Sequence, residues 1–510
     1  MNAKFGPMLD FSELGHIGRI PNYGRRIVSM LTVAIALVSI SNNSIAEDGK
    51  PNYADPLKTL PPILAKGVTL PDDKSPVLCP VQKDFSQPLQ LAEAIDITLC
   101  NNPQLRMSWA NIKFQAGQLG EARAAYLPTL NATATDQRMR TNYPGSAFLP
   151  DTRQIGESYS GNFNLRLFDF GGRGANLNSA NSLLLASIAS HSATIQKALT
   201  DTIQNYFDAQ TAKATWQAKQ ESEELSRQTV ANATRKSERG AAAHSDVLQA
   251  NAALAKASLD TNRALGDYRK AIANLVYTLG VSSQTTVQLA EDNHDQVKLE
   301  SRNLDEWLTI AAESHPAIVA ARAKWESSRQ KIVSTRSEGL PSLDFFYNYY
   351  QNGYPNQGLS QVSSHEYTYG ITLNIPIFDG FARNYKIREA EATAEQDEAQ
   401  LHDVEHNIMN EIVKANADAL SSLENLAAGD ALMEAAKDSV ESSTRRYEKG
   451  AADIVELLNT QATLADANLQ KIRCLSEWRS ARLRLLSNAG RMGHEIFHQD
   501  AASSRQSTIP

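Results

Sequence analysis

Alternating apolar and polar residues mark four short segments of the chain. In the second half, apolar side chains recur at alternate positions from Leu343 to Tyr349 and again from Tyr367 to Ile377. In the first half, the clearest such row runs from Tyr159 to Leu167. A period of two residues is typical of β-strands with one apolar face. We predict four strands, at about residues 129–140, 157–168, 342–351 and 366–377.

The length of these strands indicates where they lie. About ten residues with one apolar and one polar face is the pattern of a strand that crosses an outer membrane. Four strands are too few to close a barrel or to build a sandwich core, so closure would require several chains. Four strands of a soluble sandwich remain the alternative interpretation.

Long helices account for most of the remaining sequence. Proline is absent from residues 151–315 and 377–509, where helix-compatible residues dominate. Gly240 and Gly450 interrupt the two longest runs at equivalent places and indicate chain reversals. Each half should therefore form a long antiparallel helical hairpin with coiled-coil packing, and each long helix should extend roughly 100 Å. We predict long helices at about 171–239 and 382–449, and return helices at about 245–279 and 454–489.

The two halves of the chain repeat each other. Two motifs recur 213 residues later, namely Asn102-Pro103 as His315-Pro316 and Leu127-Pro128-Thr129-Leu130 as Leu340-Pro341-Ser342-Leu343. Beyond the strands the offset is 210 residues for Phe168 and Phe378, Arg173 and Arg383, Gly240 and Gly450, and Gly280 and Gly490. A period this long indicates a duplicated half-protein rather than a solenoid. We predict a first structural repeat at 88–300 and a second at 301–490.

The N-terminal sequence predicts export. Arg25 and Arg26 precede an apolar run from Ile27 to Ile40, and small residues at Ser44 and Ala46 offer a cleavage site. This is the pattern of a signal peptide, which we assign to residues 1–46. A proline-rich segment at 47–87, expected in the periplasm, leads into the first repeat, and a polar tail follows at 491–510.

Composition excludes several classes of protein. The 510 residues include 50 Lys and Arg against 57 Asp and Glu, so the formal charge of −7 predicts no nucleic-acid partner. Three cysteines are too few for a four-cysteine zinc site. Because export exposes them to an oxidising compartment, we predict a disulfide between Cys79 and Cys100 and a packed free thiol at Cys474.

One motif suggests a metal site, but its context argues against one. His402 and His406 flank Glu405 in the H-x-x-E-H pattern of inverted zinc peptidases. No third ligand is identifiable, and the motif falls within a long polar helix, so a solvated or tunnel-wall face is the better interpretation. We predict no metal, no cofactor and no catalytic residue.

The duplicated order, the Leu-Pro-x-Leu strand entries and the Phe-Asp turns resemble the TolC-like outer-membrane factor family over about residues 88–490. The segments Cys100 to Trp109, Arg446 to Gly450 and Glu456 to Gln461 look like the branch that serves type I protein secretion, including the CyaE-like proteins. The resemblance implies a homotrimer with a twelve-stranded β-barrel in outer-membrane lipid. A twelve-helix α-barrel would continue the channel into the periplasm.

The resemblance also implies roles for residues near the two glycine turns. Asp246 and Tyr447 would make latch contacts between helices, Ser245 would stand beside them, and Glu456 and Asn459 would line the narrowest part of the channel. The turn residues resemble tips on which periplasmic adaptors dock, namely Arg239, Gly240, Ala241, Lys449, Gly450 and Ala451. Simpler roles remain open for these positions: turn glycines, a helix cap at Asp246 and a solvated first-turn acid at Glu456.

Two classes of function follow. In the first, the protein is a passive outer-membrane export channel that works with an adaptor and an inner-membrane transporter of the ABC or RND type. Its cargo would be an unfolded polypeptide or, alternatively, small toxic molecules. In the second class, the protein is a periplasmic coiled-coil scaffold without a pore. The four amphipathic strands favour the channel.

Overall fold

The computed structural model describes residues 55–66, 79, 85, 87–145, 148, 151–290, 303–353 and 363–490. The predicted signal peptide, most of the proline-rich segment and the polar tail lie outside these residues. The chain divides into two compact units, Met1–Lys58 and Thr59–Pro510. In the first unit a turn is described, in which the amide of Lys58 donates to the carbonyl of Asp55 at 3.2 Å. The second unit contains every helix and strand discussed below.

Helices and strands follow the repeated order expected from the sequence. The first half contains α1 (Ile63–Lys66), α2 (Leu91–Asn101), α3 (Pro103–Ala124), β1 (Thr129–Thr141), β2 (Thr152–Phe168), α4 (Gly172–Glu238) and α5 (His244–Thr278). The second half contains α6 (Leu304–Ser314), α7 (Pro316–Ser337), β3 (Ser342–Gln351), β4 (His365–Asn374), α8 (Ala382–Glu448) and α9 (Ile454–Asn488). The long helices α4 and α8 have 67 residues each, and the return helices α5 and α9 have 35 each.

Two helices directly precede each hairpin of strands, namely α2 and α3 in the first half and α6 and α7 in the second. The break falls before a proline in both halves, because Pro103 and Pro316 cannot continue a helix but fit its first turn. The residue before each proline caps the new helix. Asn102 Oδ1 accepts from the amide of Gln104 at 2.8 Å, and His315 Nδ1 accepts from the amide of Ala317 at 3.2 Å.

The four strands form one antiparallel sheet in the order β1-β2-β3-β4. Its register brings the alternating apolar residues onto a single face, as in the row Leu130, Phe163, Tyr347 and Tyr369. This face is exposed on β4, where Ile371 is 62% accessible. The opposite face is polar and includes an ion pair between Arg166 Nε and Asp344 Oδ1 at 2.9 Å. A single chain therefore presents an uncovered apolar sheet face.

Two of the predicted strand boundaries are wrong. Strand β2 begins at Thr152 rather than near residue 157, because β1 pairs along its whole length and Thr141 faces Thr152. Strand β4 ends at Asn374 rather than near residue 377. Its partner β3 begins opposite Asn374, and Pro376 has no amide hydrogen to donate to a neighbouring strand.

The long helices form two hairpins that pack against each other. Helix α4 packs along α5, α7 and α9, and α8 packs along α7 and α9. Contacts between α4 and α9 include small polar pairs: Thr211 Oγ1 donates to Ser476 Oγ at 2.5 Å, and Gln461 Nε2 donates to Thr229 Oγ1 at 3.0 Å. We call α4 with α5 the first hairpin and α8 with α9 the second hairpin.

Among the described residues, no helix combines the length and apolar character needed to cross a membrane.

Candidate functional site

Glycine makes the turn at the tip of each hairpin. Gly240 and Gly450 have φ values of +69° and +74°, a left-handed conformation that other residues adopt only with strain. The amides of Ala241 and Ala451 each donate, at 2.8 Å, to the carbonyl five residues earlier. This bond pattern is that of a Schellman helix end, so the two tips share one local geometry.

Tyr447 lies in a small apolar cluster at the tip of the second hairpin. It is 5% accessible and packs with Ile454 and Leu457. Its hydroxyl has no hydrogen-bond partner among the described residues. A buried hydroxyl in this state is costly, so Tyr447 is held in place by its surroundings rather than by its own polar group.

A lysine from the first hairpin reaches the second hairpin at this cluster. Lys236 Nζ lies 4.0 Å from the centre of the Tyr447 ring. The same ammonium donates to the carbonyl of Tyr447 and, at 3.4 Å, to the carbonyl of Glu448. These carbonyls belong to the last turn of α8, where the helix dipole favours a positive charge. A cation over an aromatic ring adds about 0.5–1 kcal/mol at partly exposed sites.

The start of α9 is held by two side chains of the second hairpin. Asp453 is the N-cap and accepts from the amide of Glu456 at 2.7 Å. Glu456 pairs with Arg446, with 2.5 Å between Oε1 and Nη1, and Arg446 also donates to the carbonyl of Ala451 at 3.3 Å. Arg446 therefore connects both helices of the second hairpin across its turn.

The first hairpin lacks these contacts. Its return helix begins after Ala243, which has no side chain that could cap. Asp246 is in the first turn, where it accepts from the hydroxyl of Ser245 at 3.3 Å, and it has no ion pair within the described part of the chain. Asp246 is therefore not the N-cap that the sequence left open as an alternative.

The structure places every predicted tip residue in one of three places: the last turn of a long helix, the glycine turn, or the first two turns of the return helix. Asp246 and Glu456 are half-buried. The others, apart from buried Tyr447, are exposed: Ser245, Asn459, Arg239, Gly240, Ala241, Lys449, Gly450 and Ala451. Glu456 is a first-turn acid, as the simpler interpretation had it, but its charge is balanced by Arg446 rather than by solvent alone.

Sequence reasoning missed Lys236 and Arg446 as partners at the tips. The repeat contained a usable signal, because these two residues stand at equivalent positions 210 residues apart. Both are cations in the last turn of a long helix that ends at a glycine. The repeat therefore identifies Lys236 and Arg446 as corresponding residues, but it does not predict that they bind different partners.

Two effects change the acidity of Tyr447. Burial raises the pKa of its hydroxyl above the ordinary value, and the negative charge of Asp246 raises that pKa further. Asp246 thus acts on Tyr447 through its charge, although the two residues lie on different hairpins.

Far from the tips, a disulfide joins Cys79 to Cys100 at the end of α2, with 5.6 Å between the Cα atoms. Cys474 is a free, half-buried thiol, and burial is the main cause that raises its pKa.

The histidine motif on α8 makes ordinary surface contacts. His402 Nδ1 lies 3.4 Å from Glu405 Oε2, and Arg322 of α7 lies 3.4 Å from Glu405 Oε1. Within the described ranges, no group of three His, Cys, Asp or Glu residues is arranged to hold a metal ion.

The duplicated sheet and hairpins match one family of known proteins. The model of the family described as outer membrane efflux protein matches this chain over residues 94–281 and again over 307–491. The chain belongs to the outer membrane efflux protein family. This match confirms the family resemblance inferred from the sequence.

Individual members of the efflux family agree with this assignment. Protein CyaE of Bordetella pertussis is 31% identical over 469 residues, which cover 92% of this chain and 97% of that protein. The alkaline protease secretion protein AprF of Pseudomonas aeruginosa is 22% identical over 260 residues, covering 50% of this chain and 53% of AprF. The crystal structure of the Campylobacter jejuni CmeC outer membrane channel superposes with a TM-score of 0.70 at 16% identity, covering 86% of this chain and 97% of CmeC. The protein is thus an outer-membrane export channel with a periplasmic helical extension, and its family consists of channels rather than enzymes.

Proposed function

We propose that three copies of this chain form one closed export channel. The observation that carries the proposal is the four-stranded sheet, which exposes an apolar face and leaves the outer edges of β1 and β4 without strand partners in the described chain. In lipid, unpaired backbone groups at a sheet edge are too costly to persist. Pairing β4 of one copy with β1 of the next would remove both edges.

The space inside the barrel favours three copies over two. Two copies would give eight strands, and the interior of an eight-stranded barrel is largely filled by side chains. Three copies would give twelve strands and leave an aqueous lumen lined by the polar face of the sheet. The hairpins of three copies would then supply twelve helical segments around the same axis.

The proposed cargo is an unfolded polypeptide, delivered by type I secretion. Supporting this, AprF is named for protease secretion, and the CyaE similarity extends over nearly all of both chains. Small-molecule efflux is the second candidate, favoured by the description of the family itself. The scaffold alternative has no comparable support, because it leaves the apolar sheet face uncovered.

The hairpin tips would form the periplasmic mouth of the channel. In this proposal Asp246, Ser245 and Tyr447 control closure, and Glu456 and Asn459 line the narrowest part. The exposed turn residues around Gly240 and Gly450 would bind a periplasmic adaptor, because glycine and alanine allow close approach of another helix tip. The adaptor would connect the mouth to an inner-membrane transporter of the ABC or RND type.

Conductance of the purified protein tests the channel proposal. The protein would be purified in detergent, its oligomeric mass measured, and single-channel currents recorded in planar lipid bilayers. A trimer that inserts and conducts supports the proposal. A monomer or dimer, or a particle that never inserts, contradicts it and favours the scaffold.

Removal of two proposed closure contacts should open the mouth. We expect Asp246→Ala combined with Tyr447→Phe to raise basal conductance severalfold. Within the described chain the Asp246 carboxylate has no ion pair and the Tyr447 hydroxyl has no hydrogen-bond partner, and in the proposed closed trimer both groups would contact a neighbouring copy. The matched control is Asp267→Ala with Tyr277→Phe, which removes the same groups from exposed positions on α5 away from the tip. Equal conductance in the two double variants would remove Asp246 and Tyr447 from the closure mechanism.

A further inference from the structure

The two hairpins differ at their tips although their sequences repeat. In the second hairpin, Asp453 caps α9, and Arg446 pairs with Glu456 across the turn. In the first hairpin, the position equivalent to Asp453 is Ala243, and the cation equivalent to Arg446 is Lys236. Lys236 does not turn back to its own hairpin. It reaches the end of α8 instead.

The tip of the second hairpin is therefore stabilised by contacts within its own hairpin, whereas the tip of the first hairpin is stabilised by a contact with the second. The second hairpin has a capped return helix and an internal ion pair, so its tip holds its shape through its own contacts. The first hairpin has neither a side-chain cap nor an ion pair at Asp246 among the described residues. Its tip is instead attached to the second hairpin through Lys236.

The contact of Lys236 is specific in geometry. The ammonium has two backbone acceptors, the carbonyls of Tyr447 and Glu448, and an aromatic ring 4.0 Å away. Further from the tip, the described hydrogen bonds between α4 and α9 join hydroxyl and amide groups, such as Thr229 with Gln461. The Lys236 contact is thus a charge-assisted bond at the end of a seam that contains weaker, neutral ones.

We infer that Lys236 is a positioning residue of the channel mouth, which holds the first hairpin against the second in the narrow state. Opening begins when this contact breaks and the two hairpins separate at their tips. The inference rests on the proposed channel function, and it adds a residue that the proposed closure set does not contain.

Single-channel recording of the full chain tests this role. Lys236→Met keeps the length of the side chain but removes the ammonium, so the first hairpin loses its bonds to α8. Loss of one cation–π contact changes the equilibrium between the narrow and open states about two- to fivefold. We therefore expect the basal open probability to rise by about that factor or more. Lys236→Arg should remain close to the wild type, because a guanidinium can also donate to carbonyls and lie over a ring.

The matched control is Arg235→Met. Arg235 is the neighbouring cation, is exposed, and contacts Asn232 of its own helix rather than the second hairpin. This variant removes the same charge from the tip, so it measures any effect of tip charge on ion flow. If Lys236→Met yields no oligomer of the wild-type mass, Lys236→Gln provides the same comparison with a polar side chain.

The outcomes separate this inference from the channel proposal. A wild-type protein that fails to conduct refutes the channel. If the wild type conducts but the Lys236 variants match Arg235→Met, the channel stands and the role of Lys236 is refuted. Raised opening in Lys236→Met, normal opening in Lys236→Arg and no change in Arg235→Met support it. Raised opening in Lys236→Arg would also refute it, because a side chain that can donate to the same carbonyls and lie over the same ring would then fail to keep the mouth narrow.

Discussion

At the scale of single residues, the ionisation of Tyr447 reports on its distance from Asp246. Burial and the Asp246 carboxylate both raise the pKa of Tyr447 above the ordinary value of about 10. We expect Asp246→Asn to lower this pKa, although not to the ordinary value, since burial remains. The measurement is a phenolate absorbance titration in which the Tyr447→Phe protein is subtracted to isolate the signal of one tyrosine.

The sign of the linked stability follows from the direction of the shift. Because the folded-state pKa is raised, the stabilisation that it represents is present below about pH 10 and is lost as the pH rises through the folded-state value. Asp267→Asn, on an exposed part of α5, is the control carboxylate. If both asparagine variants leave the Tyr447 titration unchanged, the Asp246 charge is screened at the tip.

Single residues also show the limit of prediction from the sequence. The repeat located both tip glycines, and it places Lys236 and Arg446 at equivalent positions. It could not predict that one cation pairs with Glu456 while the other crosses to α8. The acceptors of Lys236 are backbone carbonyls on another hairpin, 211 and 212 residues away. Every residue has a backbone carbonyl, so the residue types in the sequence do not indicate which carbonyls will accept.

At the scale of elements, helices α3 and α7 should differ in their response to acid. Each begins with a proline, and the residue before that proline caps the helix. Asn102 and His315 are repeat equivalents, and each accepts from a backbone amide at the start of its helix. Burial lowers the pKa of His315 to about 4. Protonation would turn its accepting nitrogen into a donor, so the cap of α7 is lost in acid whereas the cap of α3 is not.

Replacement of the histidine cap by the cap of the first repeat tests this difference. The unfolded chain binds a proton near pH 6.5 and the folded one only near pH 4, so stability falls as the pH drops between these values. At pH 5 the loss from one such histidine is about 2 kcal/mol. We expect His315→Asn to reduce the decrease in melting temperature between pH 7 and pH 5. His402→Asn, an exposed control, should not. An unchanged decrease in His315→Asn would show that this cap does not govern acid sensitivity.

Elements also show which boundaries the sequence can predict. The long helices begin and end within about two residues of the predicted bounds, because glycine turns and missing prolines are local signals. Strand ends are set by the partner strand instead. The apolar alternation continues through Ile375 and Ile377, yet β4 stops at Asn374, where β3 no longer offers hydrogen-bonding groups.

At the scale of the whole molecule, duplication accounts for the hairpins and strands but not for the way in which the two halves join. The sequence predicts a pair of strands in each half, and the structure adds that β2 pairs with β3, so both pairs form one continuous sheet. The paired residues lie between 175 (Phe168 with Leu343) and 192 (Tyr159 with Gln351) positions apart in the sequence, so local sequence patterns cannot predict their contact. The continuous sheet leaves two free edges per chain in the described structure rather than four, which makes closure among copies simpler.

The two faces of β4 should respond oppositely to a charge. Ile371 is on the apolar face and its neighbour Thr372 is on the polar face, opposite Asp344. If the apolar face contacts lipid, Ile371→Arg should cost about 2–4 kcal/mol near the bilayer midplane, whereas Thr372→Arg should cost little because it faces water. The measurement is the fraction of protein that folds into lipid vesicles, followed by the heat-dependent shift in electrophoretic mobility. Both substitutions replace a β-branched residue of one strand by arginine and so change strand propensity similarly. A large difference between them therefore reports the environment of each face. Equal folding of the two variants would mean that the apolar face is covered by protein rather than lipid, and would contradict the proposed barrel.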